Sequence, residues 1–501
     1  MYKRQSGILT HPTSFPSPYG IGDLGTGAYE FINFLKAANQ KLWQVLPLGP
    51  TGYGDSPYQS FSSFAGNHYL ISPDILVEHG WLSPSDLEGA DFNPRSVDYG
   101  PVVKYKTDIL KKAHATFKAT ASAADKSRLT KFSKRHSAWL DDYALFMALK
   151  DYHNGAPWTD WPKALANRDI KALAEMGAKL SDEIALTKFM QYEFFRQWDK
   201  LRTYANAAGI KIIGDIPIFV SMDSADIWAA PELFALDKNG KPTAVAGVPP
   251  DYFSETGQLW GNPLYKWDTN KKTGFEWWCR RVEATLMFVD EIRIDHFRGF
   301  ESYWAIPNGA DTAISGKWHK GPGKAFFAAL EKKLGCLPII AEDLGIITPA
   351  VNRLRKGLKL PGMRVLQFAF NPEDKSVYLP HLYEDSHTIV YTGTHDNDTT
   401  EGWYASAKET EKDYLRRYLN ISGEDVAWDM IRLALSSTGV YAIVPIQDVM
   451  RLGTEDRMNK PGTASGCWQF RYTSDMLRDE YATQLKYLSS LYHRNDEHFL
   501  Q

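Results

Sequence analysis

Short apolar runs recur along the chain at 42–47, 69–72, 211–217, 289–294, 338–341, 364–368, 388–391 and 441–444. Runs of about 4–8 residues without strict alternation predict strands covered on both faces, the kind found in parallel sheets. Eight of them predict an α/β architecture, a (β/α)8 TIM barrel. Helix-start chemistry follows several runs. Thr348-Pro349 reads as a cap with proline at the first helical position, and Asp398 with Glu401 as a capping box.

The spacing is uneven. Residues 73–210 far exceed one crossover helix, so a helical insertion is expected there. Its last helix is the clearest: Ser181 as cap, Leu186, Phe189, Met190, Phe194, Trp198 and Leu201 on one stripe, and Gly209 as stop. A second insertion, 219–288, is rich in Gly, Pro and aromatics and is expected to be loop-rich and to border the cleft. No composition break follows residue 444, so 1–501 reads as a single catalytic barrel domain carrying both insertions.

Charge narrows the partners. With 57 basic against 60 acidic residues, the chain has no strong field for nucleic acid or an anionic membrane. A neutral ligand suits it better. The 16 Trp first imply core filling, although flat indole faces also suit sugar rings. Cys279, Cys336 and Cys467 contain no Cys-x-x-Cys pair, so neither a disulfide framework nor a thiolate zinc site is expected. With no signal-peptide core and no apolar stretch near the roughly 20 residues that span a bilayer, a cytoplasmic location is expected.

Two motifs fail on context. Gly20, Gly22 and Gly25 form a nominal G-x-G-x-x-G, but a Pro-rich segment precedes them where a strand is required. The histidines show no H-E-x-x-H spacing. Asp396-Asn397-Asp398 and Asp223 to Asp226 could suggest a hard cation, although helix capping explains their outer members.

Three acids remain. Asp295, Glu342 and Asp396 each follow an apolar run, and in a parallel barrel all C-terminal strand ends open on one cleft. Paired carboxylates there suit glycosidic-bond chemistry, one as nucleophile and one as proton donor. Arg293, two residues before Asp295, shares its strand face and favours its ionised form. Apolar neighbours of Glu342 would raise its pKa, as a general acid requires. Structural salt bridges are the rival reading for each acid.

Six segments then bear on the family: Gly214-Asp215-Ile216-Pro217, the run from Ala246 to Ser254, the run from Gly257 to Pro263, the run from Arg293 to Phe300, Ala341-Glu342-Asp343-Leu344-Gly345, and the run from Gly393 to Asp398. Together they resemble the amylomaltase family, the 4-α-glucanotransferases or disproportionating enzymes of the α-amylase-like group. The resemblance implies Asp295 as nucleophile, Glu342 as acid/base and Asp396 as the carboxylate that stabilises the distorted sugar. It implies sugar binding by Arg293, His395 and Asp215, stacking by Tyr58, and a glucan-covering loop with Phe253, Gln258 and Trp260. The implied donors and acceptors are maltooligosaccharides and α-1,4-glucans, with glucose as a further acceptor, and no cofactor. Cys467 stands where the family suggests asparagine and Phe470 where it suggests tryptophan, which puts an outer subsite in question. A hydrolytic α-glucanase and a non-catalytic glucan-binding protein are the alternatives, separable by their products.

Overall fold

The computed structural model describes residues 3–250, 254–373, 376–463 and 465–495 of the 501-residue chain. Among these residues the strands are, in chain order, β1 (Gln5–Leu9), β2 (Leu42–Gln44), β3 (Lys211–Pro217), β4 (Ala244–Val248), β5 (Gln258–Pro263), β6 (Glu291–Asp295), β7 (Ser302–Pro307), β8 (Lys317–Lys320), β9 (Ile339–Ala341), β10 (Gly362–Val365), β11 (Thr388–Tyr391) and β12 (Tyr441–Pro445). Eight form a parallel sheet in the order β10-β11-β12-β1-β2-β3-β6-β9. Ala341 N–H donates to Pro361 C=O at 2.9 Å and brings the two outer strands together, so the sheet is a barrel. Helices surround it.

Seven of the eight apolar runs supply barrel strands; the exception is 69–72. Asn67 accepts a hydrogen bond from Tyr69 N–H, His68–Leu70 turn into a 3-10 helix, and a helix starts at Pro73. Local capping overrides the apolar pattern. The eighth strand is β1, in parallel register with both β12 and β2. Its Gly7 is required by a close approach, since a Cβ there would lie 2.2 Å from Leu42 O.

Alternation divides the core into two shells. Leu9, Leu42, Ile213, Ile340, Met363, Ile389 and Tyr441 form one cluster; their strand neighbours Ile8, Trp43, Ile212, Ile339, Val390 and Ala442 join the other, with the helices. The first fills the barrel interior and the second seals its outside. On β6 the period selects differently: Ile292 and Ile294 pack outward, while Glu291, Arg293 and Asp295 share the inner side. An apolar interior thus becomes a polar one toward its C-terminal rim.

Between β2 and β3 run several helices, the longest Ser181–Ala207, preceded by Leu180 at its cap position and followed by Gly209 at φ +77°. It buries Phe189, Phe194, Trp198 and Leu201, and Trp198 Nε1 donates to Phe288 O at 2.9 Å. The stretch 219–288 is less loop-like than its composition predicts. It holds β4, β5 and the helix Glu276–Phe288, and β4 and β5 join β7 and β8 in an antiparallel sheet ordered β5-β4-β7-β8. At the other loop in question, the helix Thr400–Ser406 is capped by Thr399, not by Asp398 as the capping-box reading has it. Arg494 is buried near the end of the described chain and donates to the carbonyls of Gln5, Ala434, Leu435 and Ser437. Among the described residues no helix is long and apolar enough to cross a membrane.

Candidate active site

Strand register assembles the centre. Asp215 of β3 lies opposite Arg293 of β6, and Pro217 opposite Asp295. Arg293, with 3% side-chain exposure, donates to Asp215 Oδ2 at 2.6 Å and to Asp295 Oδ1 at 2.9 Å. A guanidinium shared by two carboxylates is held firmly charged, its pKa well above the ordinary arginine value: burial opposes the charge, and Asp215 and Asp295 outweigh it. Asp215 is fully buried and raised to about 6, chiefly by burial, against the pull of Arg293. Asp295 keeps 29% side-chain exposure and faces the cleft, whereas the Asp215 side chain has none.

Glu342 follows β9 directly, and Ile294 and Ala341 are in register, so Asp295 and Glu342 occupy the next places on adjacent strands. Its Oε2 accepts from His296 N–H at 2.7 Å and its Oε1 from Leu344 N–H at 2.8 Å. Two such bonds favour the carboxylate, but burial and then the Asp295 charge outweigh them and push Glu342 up to about 7. Asp343 points the other way, accepts from Met363 N–H at 2.7 Å and pairs with Arg355 at 3.1 Å, which fixes the loop. Only glycine fits beside it, since a Cβ on Gly362 would lie 2.5 Å from Asp343 Oδ2. His296 adopts left-handed φ 53° and ψ 48°, an uncommon conformation for a non-glycine residue, and so aims its N–H at Glu342.

Asp396 sits on the loop after β11, where Asn397 Oδ1 accepts from both the N–H and the hydroxyl of Thr394 and tightens the turn. Its Oδ1 accepts from Asn459 Nδ2 at 2.6 Å, and His395 Nε2 lies 3.3 Å from Oδ2. Loss of hydration alone would raise its pKa; the His395 charge and hydrogen bond, with Asn459, instead lower it to about 2. His395 is raised in turn, because Asp396 overcomes its burial. Tyr58 donates to Asp215 Oδ2 at 2.7 Å and stacks on His395 at 5.0 Å.

Trp260 of β5 meets His296 edge-on at 4.9 Å, and its Nε1 donates to Gln258 Oε1 at 3.1 Å. Nine of the ten residues singled out in the sequence are therefore linked around one cleft, and Phe253 lies outside the described residues. Sequence reasoning missed Asn459 and Trp468. Trp468, at φ 64°, packs 5.9 Å from Tyr58 and 6.0 Å from His395, and its carbonyl accepts from Tyr99 hydroxyl at 2.8 Å. Both lie on a distant loop, so only the resemblance of that loop could have flagged them.

The two atypical residues there do different work. Cys467 Sγ is engaged within its own loop, with Lys460 N–H at 3.3 Å and Thr463 Oγ1 at 3.1 Å. Phe470 is 6% exposed, packs in the core and stands 6.5 Å from Tyr472. Among the described residues no group of three His, Cys, Asp or Glu side chains is arranged to hold a metal ion.

Comparison with known proteins gives one answer. A family model described as 4-alpha-glucanotransferase matches residues 10–477. A 4-alpha-glucanotransferase of Synechocystis is 51% identical over 501 residues, 99% of each chain. That of Thermus thermophilus is 51% identical over 490 residues, covering 96% of this chain and 97% of its own. A solved structure of amylomaltase from Streptococcus agalactiae in complex with acarbose superposes with a TM-score of 0.95 at 40% identity, covering 99% of this chain and all of that one.

Proposed function

The chain belongs to the 4-alpha-glucanotransferase family and is a glycosyltransferase, and from that premise we propose how its residues divide the work. Asp295 attacks the anomeric carbon of an α-1,4-glucan while Glu342 protonates the departing oxygen, which leaves a glycosyl-enzyme ester. Glu342, now ionised, takes the proton from a sugar 4-hydroxyl, which displaces Asp295. Configuration is retained over the two displacements. Asp396, with His395 and Asn459, binds hydroxyls of the distorted ring and stabilises its positive charge, and Tyr58 stacks on the sugar being transferred.

One observation carries this reading: Glu342, buried and raised to about 7, neighbours the cleft-facing Asp295 on the adjacent strand end. Adjacent strands lie about 4.8 Å apart. Side chains on such neighbouring strand ends can approach to the about 5 to 5.5 Å expected between the carboxyls of a retaining enzyme.

Maltooligosaccharides are the proposed donors, and glucose or another glucan the acceptor. Incubation with maltotriose should give glucose and a ladder of longer chains; accumulation of shorter sugars alone would make the chain a hydrolase. The Streptococcus relative was solved in complex with acarbose, which supports a sugar-like ligand here. We take 1–501 as one catalytic unit, with 73–210 and 219–288 as insertions, and place it in the cytoplasm, a reducing setting that suits its free cysteines.

Transfer must outcompete water. Trp260, set against the His296 that orients Glu342, is the proposed shield. Trp260→Ala is expected to lower the ratio of transfer to hydrolysis by about 3-fold or more, read from glucose release against chain lengthening on maltotriose. An unchanged ratio would remove Trp260 from this role.

A further inference from the structure

We propose that Trp318 is a sugar platform on the leaving-group side of the cleft, stacking on an α-1,4-glucan a few units beyond the exchanged bond. The inference rests on the glucan-transfer reading above. β8 forms the outer edge of the small sheet, and all four of its residues, Lys317 to Lys320, are exposed. A flexible indole on such an edge would only be a liability for solubility. This one is held in place.

The guanidinium of Arg298 lies 3.7 Å from the centre of a Trp318 ring, a cation–π contact. Arg298 is itself buried, and one of its NH groups donates to Ile346 O. Trp304, the direct cross-strand partner of Trp318, meets it at 5.1 Å and 64°, with its own Nε1 donating to Ala313 O at 2.8 Å. The indole is thus fixed by a buried cation and by a neighbouring ring, yet it stays 39% exposed. Leu259, in the same cross-sheet row through Gly247 and Trp304, is 41% exposed, and Ile346 is 46% exposed.

The anchors give the platform its place. Arg298 comes three residues after Asp295 and Ile346 four after Glu342. At about 3.5 Å per residue, neither anchor is farther than roughly 14 Å along the chain from its carboxylate. Trp318 therefore hangs on the loops that carry both reacting acids, and the Glu342 loop borders the departing sugar. Its chemistry suits a glucan: the C–H face of a pyranose lies on the indole, and Lys320, two residues on and so on the same strand face, can reach hydroxyls. A neutral polymer meets no electrostatic penalty there.

The test compares maltotriose with long linear amylose chains as donors, with glucose as acceptor, in the full-length enzyme. Trp318→Ala should raise KM for the long chains roughly fivefold and change kcat and the maltotriose KM less than about twofold. Trp318→Leu, which still covers Arg298 but has no flat face, should behave as the alanine variant does, and Trp318→Phe should recover much of the affinity. A KM ratio of long to short chains that does not change, an equal loss on both substrates, or parental behaviour of the leucine variant would each overturn the platform. A parent enzyme unable to disproportionate maltotriose would instead end the underlying transferase reading.

Discussion

Asp295→Asn is expected to lower maltotriose disproportionation by about 10⁴-fold or more, because an amide cannot form the glycosyl ester through which both half-reactions pass. The loss should be chemical and not structural. Arg293 keeps its 2.6 Å bridge to the fully buried Asp215, and the amide oxygen can still accept from it. Thermal melting should therefore stay close to that of the parent. Activity within about tenfold of the parent would show that another group attacks the anomeric carbon.

Glu342→Gln should cost about 10²- to 10⁴-fold on natural glucans, the usual contribution of a positioned proton donor. The pH profile carries the sharper signature. The donor must be protonated, and its pKa is raised to about 7 by burial and by Asp295, so the parent's kcat/KM should fall as pH rises through that value. In the glutamine variant this alkaline limb should vanish. A donor with an acidic phenol leaving group needs no proton for the first displacement, so the variant should retain most of the parent's first-step rate on it. If natural and phenolic donors suffer alike, Glu342 is not the donor. Stability follows the same titration: a raised carboxyl contributes most below the ordinary glutamate value, and its contribution is lost as pH rises through about 7. The amide also leaves one of the two N–H groups, His296 or Leu344, facing a donor, at about 1 to 3 kcal/mol.

Apolar runs reveal strands when both faces are buried, which is why β3, β6 and β11 stand out. β1 was hidden because Gln5, Ser6 and Gly7 read as polar or neutral; Gly7 is there for the approach of Leu42, a requirement that appears only once β2 lies beside it. Tyr69 to Ser72 has the composition of a strand, but Asn67 and Pro73 turn it into a corner. In the small sheet the strands are short and their pairing is antiparallel, with a register shift between Val245 and Gly247, so the period-2 signal is broken. The acids themselves were legible because strand ends in a barrel converge. Asn459 and Trp468 were not, since their contacts span about 60 to 400 residues of chain and depend on a folded loop whose own spacing carries no periodicity.

The joining of β1 to β12 also sets a schedule for biosynthesis. On the ribosome, Gln5–Leu9 emerges first and can pair with β2 at once, but its other edge waits for Tyr441–Pro445. That wait is roughly 430 residues, about 20 to 90 s at 5–20 residues per second. Throughout it the nascent barrel exposes an unmatched row of backbone donors and acceptors, the surface on which misassembly begins. An edge that stays open until the late strand docks is the cost of pairing β1 with β12.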